Sequence, residues 1–153
     1  PGDWGATITN PSSASEPQVS PMLAVGDATA AVQFYKAAFD ANVLWYIEGD
    51  GGKESVAIAG LLIHGAPFFL AEESPGNGTR SPDSAGFTTV RIELFVDDPV
   101  AMHARAIAAG AVEGSAVREH THPTLGPRPI KRMLQGSVID PSGHRWLIGK
   151  FLE

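Results

Sequence analysis

Pro21-Met22-Leu23-Ala24-Val25-Gly26-Asp27, running on into Ala28-Thr29-Ala30-Ala31-Val32-Gln33-Phe34-Tyr35-Lys36-Ala37-Ala38-Phe39, is the stretch that decides the fold. Its first part is an apolar run closed by Gly26-Asp27, and aspartate favours the position before a helix because its side chain accepts hydrogen bonds from first-turn N–H groups. Beyond it, Ala31, Phe34, Tyr35 and Ala38 recur at the spacing of one helical face. The reading is a strand over 18–25, a tight turn and an amphipathic helix over 28–39. Asp40-Ala41-Asn42 ends that helix. Three strands are expected after it, over 43–48, 54–63 and 67–71, divided by the turns Gly49-Asp50-Gly51-Gly52 and His64-Gly65.

The same order then returns. Leu94-Phe95-Val96-Asp97-Asp98 matches Leu23-Ala24-Val25-Gly26-Asp27 with a shift of 71 positions, from Val25 to Val96. It implies a strand over 90–96 and a helix over 100–109, with Pro99 at the first helical position and Gly110 as the stop. Strands over 116–119, 131–139 and 144–151 complete the second set, the last two joined by the turn Asp140-Pro141-Ser142-Gly143. The expected fold class is therefore α+β. Two βαβββ modules, 18–73 and 88–151, form paired curved mixed sheets around a cavity with the helices outside, joined by a linker over 74–87 whose prolines and glycines suggest flexibility. Residues 1–17, rich in Pro, Ser and Gly without periodicity, are expected to be a flexible arm in which Trp4 and Ile8 are the candidate docking residues.

Composition narrows the function classes. At 153 residues, with 43% hydrophobic and 18% charged side chains, the chain suits one soluble domain. It has no cysteine, which excludes disulfides, thiolate metal sites and cysteine nucleophiles. A formal charge of -6 with eleven scattered Lys and Arg argues against a nucleic-acid partner. No apolar run is long enough to span a membrane, and the first residues lack an apolar segment flanked by basic ones, so no membrane partner and a cytoplasmic location are expected.

With these elements in place, the chain resembles the vicinal oxygen chelate superfamily of glyoxalases, extradiol dioxygenases and bleomycin-resistance proteins, and most of all its PhnB-like and bleomycin-resistance-like branches. The resemblance is carried by residues 21–27, 30–39 and Ala41, by Phe95-Val96-Asp97-Asp98 and Ala108-Ala109-Gly110-Ala111, and by Asp140-Pro141-Ser142-Gly143-His144-Arg145-Trp146. It implies that each module is half of an incomplete barrel and that the protein forms a homodimer. It also implies four metal-ligand positions, on the first and last strands of each module. Here these positions hold Ser20, Phe69, Arg91 and Leu147. A cation, a phenyl ring and an aliphatic chain offer a metal no lone pair, and a lone serine is a poor ligand, so no metal and no cofactor are expected.

Other residues then become the candidates for chemistry. Alternation puts Arg91, Glu93 and Phe95 on one face of the strand over 90–96, the face toward the expected cavity. Charge on an inward face costs desolvation unless partnered, which marks Arg91 and Glu93 as ligand-orienting or catalytic, the arginine for an anion or carbonyl and the glutamate as acceptor or general base. Trp45 and Tyr46 stand on opposite faces of one strand, so one of them should join Phe69 as an aromatic wall, and Trp45 is taken into the ligand-binding set. Glu119-His120-Thr121-His122 puts two imidazoles on one strand face at the edge of a proline-rich loop, where His120 and His122 are candidate ligand contacts. The ligand-binding set is thus Ser20, Trp45, Phe69, Arg91, Glu93, Phe95, His120, His122 and Leu147. His64, His103 and His144 read as structural. The function expected is metal-independent binding of a small organic molecule, either sequestered or converted as a lyase or isomerase would. The alternative is a metal-dependent lyase, isomerase or dioxygenase whose site has moved to Glu119, His120 and His122 or is completed across a dimer, and a third reading is a scaffold without ligand.

Overall fold

A computed structural model describes residues 18–123, 126–129 and 132–152, so the arm expected over 1–17 lies outside the described residues. The elements are β1 (Met22–Val25), α1 (Ala28–Phe39), β2 (Asn42–Glu48), β3 (Val56–Ile63), β4 (Ala66–Glu72), α2 (Pro82–Ala85), β5 (Arg91–Phe95), α3 (Pro99–Ala108), β6 (Val112–Thr121), β7 (Arg132–Ile139) and β8 (Arg145–Phe151). They build two four-stranded sheets of the same design, β1-β4-β3-β2 and β5-β8-β7-β6. In each, the first strand pairs parallel with the last and the other pairs are antiparallel. The repeat seen as a short sequence match is thus a repeat of topology, and the sheets close no barrel.

Both helices start as the sequence implies. The Asp27 side chain accepts from Ala30 N at 2.9 Å, and that of Asp98 accepts from Ala101 N at 3.0 Å. Helix α1 buries Ala31, Phe34, Tyr35, Ala38 and Phe39 against the face of the first sheet that carries Leu23, Val25, Leu61, Phe68 and Leu70. Leu94, Val138, Trp146 and Ile148 form the corresponding face of the second sheet. Val96 and Ile107 only flank this core, being partly buried.

Three local expectations change. The first strand begins at Met22, because Pro21 has no N–H for a ladder and contributes only its carbonyl, which accepts from Phe69 N at 2.8 Å. Strand β6 spans ten residues, and register shifts between Glu113 and Arg118 let it bend past β7. The linker is structured and tethered. A 3-10 turn covers Pro75–Asn77, α2 follows, Ser81 and Pro82 are buried, and Ser81 N donates to Glu73 Oε2 at 2.7 Å while Asp83 N donates to Ser142 O at 3.0 Å. Gly143, with φ 91, permits that approach, since a Cβ there would lie 2.7 Å from Asp83 N.

The modules meet through their helices and through the β7–β8 turn. Arg105 of α3 donates from Nε to Ala37 O at 2.6 Å, at the end of α1, and lies 3.5 Å from Asp40. Buried Asp140 receives Tyr35 OH of the first module at 2.5 Å and Trp146 Nε1 of the second at 2.9 Å on the same oxygen. Its other oxygen accepts the backbone N–H groups of Ser142 and His144, both at 3.0 Å. Tyr35, Phe39, Phe68 and Trp146 pack around it with ring centroids between 4.8 and 6.2 Å apart. With the helices and this turn on one side, each sheet keeps its opposite face free of covering elements among the described residues.

Candidate functional site: the two open sheet faces

The open face of the first sheet is apolar and aromatic. Trp45 and Gly60 are register partners, and the indole lies over the glycine: a Cβ at Gly60 would come within 2.6 Å of Trp45 Nε1. Phe69, the partner of Gly60 on the next strand, stands 5.5 Å from Trp45 by ring centroids. Alternation turns Tyr46 the other way, where it packs against the core. Met22 and Ile47 belong to the open face and are 56% and 54% exposed. Ser20 is half-buried just before β1.

The open face of the second sheet is polar at its centre and apolar at one end. Arg91, Glu93 and Phe95 share it, as the alternation requires, with their register partners Arg145, Leu147 and Gly149 on β8. Gln135, opposite Gly149, donates from Nε2 to Glu93 Oε1 at 3.2 Å, a reach helped by the missing side chain between them. Glu93 therefore has an amide partner and makes no ion pair with Arg91 among the described residues. Phe95 and Phe151 stack at 4.6 Å and remain 45% and 43% exposed. His120, opposite Met133, continues the face, its Nε2 hydrogen-bonded with Gln135 O at 3.2 Å. The His120 and His122 rings lie parallel with centroids 6.1 Å apart. His120 is thus a strand residue, one position before the end of β6, and His122 lies just beyond it.

The donors do not fit the metal that the family architecture implies. Phe69, Arg91 and Leu147 provide no lone pair, and Glu119, one residue from His120 and hence on the other side of β6, is held at 2.7 Å by Arg132 Nε. That hydrogen bond keeps the Glu119 carboxyl below its usual range. Among the described residues no three His, Asp or Glu side chains gather. The remaining histidines are structural where they have partners: His103 is buried with Nε2 3.0 Å from Ser115 O, and His144 Nε2 lies 2.7 Å from Ala24 O, tying the β7–β8 turn to β1. His64 is exposed at its turn.

A hollow among the described residues meets the open face of the first sheet only at its edge, near Met22. It is a cleft of about 600 Å³ between β1, the linker and β5, edged by Met22, Ala24, Arg80, Phe87, Val90 and Ile92, and it touches none of the nine residues expected to bind ligand. Those on the two sheets lie instead on faces left open among the described residues. Sequence reasoning missed Gln135, Arg145 and Phe151. For the last two a signal existed, since they share the period of Leu147 along β8, two and four positions away.

A family model described as the Glyoxalase/Bleomycin resistance protein/Dioxygenase superfamily matches residues 18–148. An uncharacterised protein of Mycobacterium bovis is 38% identical over 138 residues, covering 88% of this chain and 84% of its own length. Among solved structures, a gene product of Arabidopsis thaliana is 26% identical with a TM-score of 0.62, over 88% of this chain and 99% of that one. A bleomycin-binding protein complexed with bleomycin superposes with a TM-score of 0.55 at 16% identity, over 88% of this chain and 98% of that one, a likeness of fold alone. Doubled βαβββ topology, the paired sheets and the match along nearly the whole described chain agree: this protein belongs to the glyoxalase/bleomycin resistance/dioxygenase superfamily.

Proposed function

We propose that the protein is a metal-independent small-molecule-binding protein, and that its cavity forms where the aromatic face of one protomer's first sheet meets the polar face of a second protomer's second sheet in a homodimer. The observation that carries this is the exposure of Met22, Ile47, Phe95 and Phe151, between 43% and 56%, on two sheet faces that no element among the described residues covers. Large apolar side chains grouped on one face favour leaving water, whether against a ligand or a partner. The relative complexed with bleomycin supports a ligand in a cavity of this fold. In this reading Trp45 and Phe69 hold a flat ligand, Arg91 orients its polar end, and His120, His122 and Leu147 line the rim. Glu93, whose second oxygen accepts nothing among the described residues, is the group able to take a proton.

Sedimentation should show a dimer that binds the neutral dye N-phenyl-1-naphthylamine with enhanced fluorescence. Trp45→Ala should weaken dye binding about tenfold, the loss expected of a buried aromatic contact. A monomer whose dye affinity ignores Trp45 would sink the reading. Once a ligand is known from screening, Glu93→Gln separates sequestration from conversion: turnover falls far more than affinity only if the carboxylate is a base.

A further inference from the structure

Arg91 and Arg145 are register partners on adjacent parallel strands, so their side chains leave the same face side by side. Like charges placed directly opposite in a sheet repel, and a chain of net charge -6 had seventeen acidic residues with which to balance them. Neither arginine has a carboxylate within ion-pair distance among the described residues. Glu93, the nearest acid along β5 on that face, is engaged by Gln135. Arg145 also borders a hollow of about 200 Å³ beside the linker, where Asp83 is the one acidic lining residue and is not paired with it. Leu147, next to Glu93, begins the apolar surface that runs on to Phe95 and Phe151.

We infer that Arg91 and Arg145 together form an oxyanion clamp, and that the ligand of this face is an aromatic or otherwise apolar molecule carrying a carboxylate or phosphoryl group. Two guanidinium forks satisfy such an anion with several charge-assisted hydrogen bonds, and the anion in turn relieves the repulsion between them. The inference rests on the open faces being ligand-binding walls, and it goes further by committing the ligand's charge and by adding Arg145.

The test uses the intact protein with benzoate, phenyl phosphate and neutral benzamide as probes, each competing with N-phenyl-1-naphthylamine. The acids should displace the dye and benzamide should not, with the tighter acid telling a carboxylate ligand from a phosphoryl one. Arg91→Gln and Arg145→Gln should each weaken the acids, measured relative to the dye, roughly ten- to a hundredfold. Lys53→Gln, which removes the same charge from an exposed turn, should not. Equal competition by acid and amide, or acid affinity untouched by either arginine substitution, overturns the clamp while the binding wall stands. If the dye does not bind at all, the wall fails, and the clamp is read directly from the arginine Nε–H resonances on benzoate titration. Saturable shifts of both uphold it, and their absence overturns it.

Discussion

Asp140 places two oxygens among four donors in the interior, and one of those donors, Tyr35 OH, comes from the other module. Burial, first, and the neighbouring carboxylate, second, push the Tyr35 hydroxyl well above its ordinary value of 10.0. A raised folded-state value means the unfolded chain loses its proton first as pH rises. Stability from this group is therefore complete below about pH 10 and declines with further alkalinity. Tyr35→Phe should cost about 1–3 kcal/mol near neutrality, because Asp140 loses a donor in a buried place, and should flatten the alkaline decline. Urea unfolding of both proteins from pH 7 to 11 measures it, and parallel curves would show that Tyr35 is not the titrating group. The aspartate was visible in the sequence as the start of a turn. That its carboxylate joins the modules was not, since its partner Tyr35 lies 105 positions away.

The elements show the repeat at work. Asp27 and Asp98 cap α1 and α3 in the same way, each accepting from the N–H three residues on, and both sites are exposed. Asp27→Ala and Asp98→Ala should therefore lose similar amounts, about 1 kcal/mol each by thermal or urea unfolding, and the double variant close to the sum because the caps do not touch. Losses differing several-fold would mean that the two junctions are alike in sequence only. Element type was legible within both modules because alternation and helical period are local. Boundaries moved where a neighbour decided them, as with Ala66 and Glu72, which β4 gains by pairing with Ile63 and Val25. The linker is the larger change: its proline and glycine content suggested freedom, yet contacts with Glu73 and Ser142 hold it.

At the scale of the whole molecule, two sheets that share no strand behave as one body only if their joint is strong. The joint consists of the α1–α3 contact with Arg105 and the aromatic cluster around Asp140. The protein should unfold in a single transition. Combining Arg105→Ala with Asp140→Asn should lower stability by roughly 3 kcal/mol or more, since hydrogen bonds to charged groups contribute about 1.5–3 kcal/mol each, and should broaden or split the calorimetric transition. A sharp single transition in the double variant would place the coupling in the apolar contacts and the His144–Ala24 tie. The sequence by itself determined the doubled βαβββ order, the family, the face on which Arg91, Glu93 and Phe95 stand and the lack of lone pairs at three of the four ligand positions. All of these follow from side-chain chemistry and from periods of two and 3.6, which need only near neighbours. Tertiary structure decided that Glu93 answers to Gln135, that Glu119 belongs to Arg132, that Arg145 stands beside Arg91, and that both sheet faces remain open among the described residues. Those depend on strand register and on helix packing between residues far apart in the chain, and a local pattern carries neither.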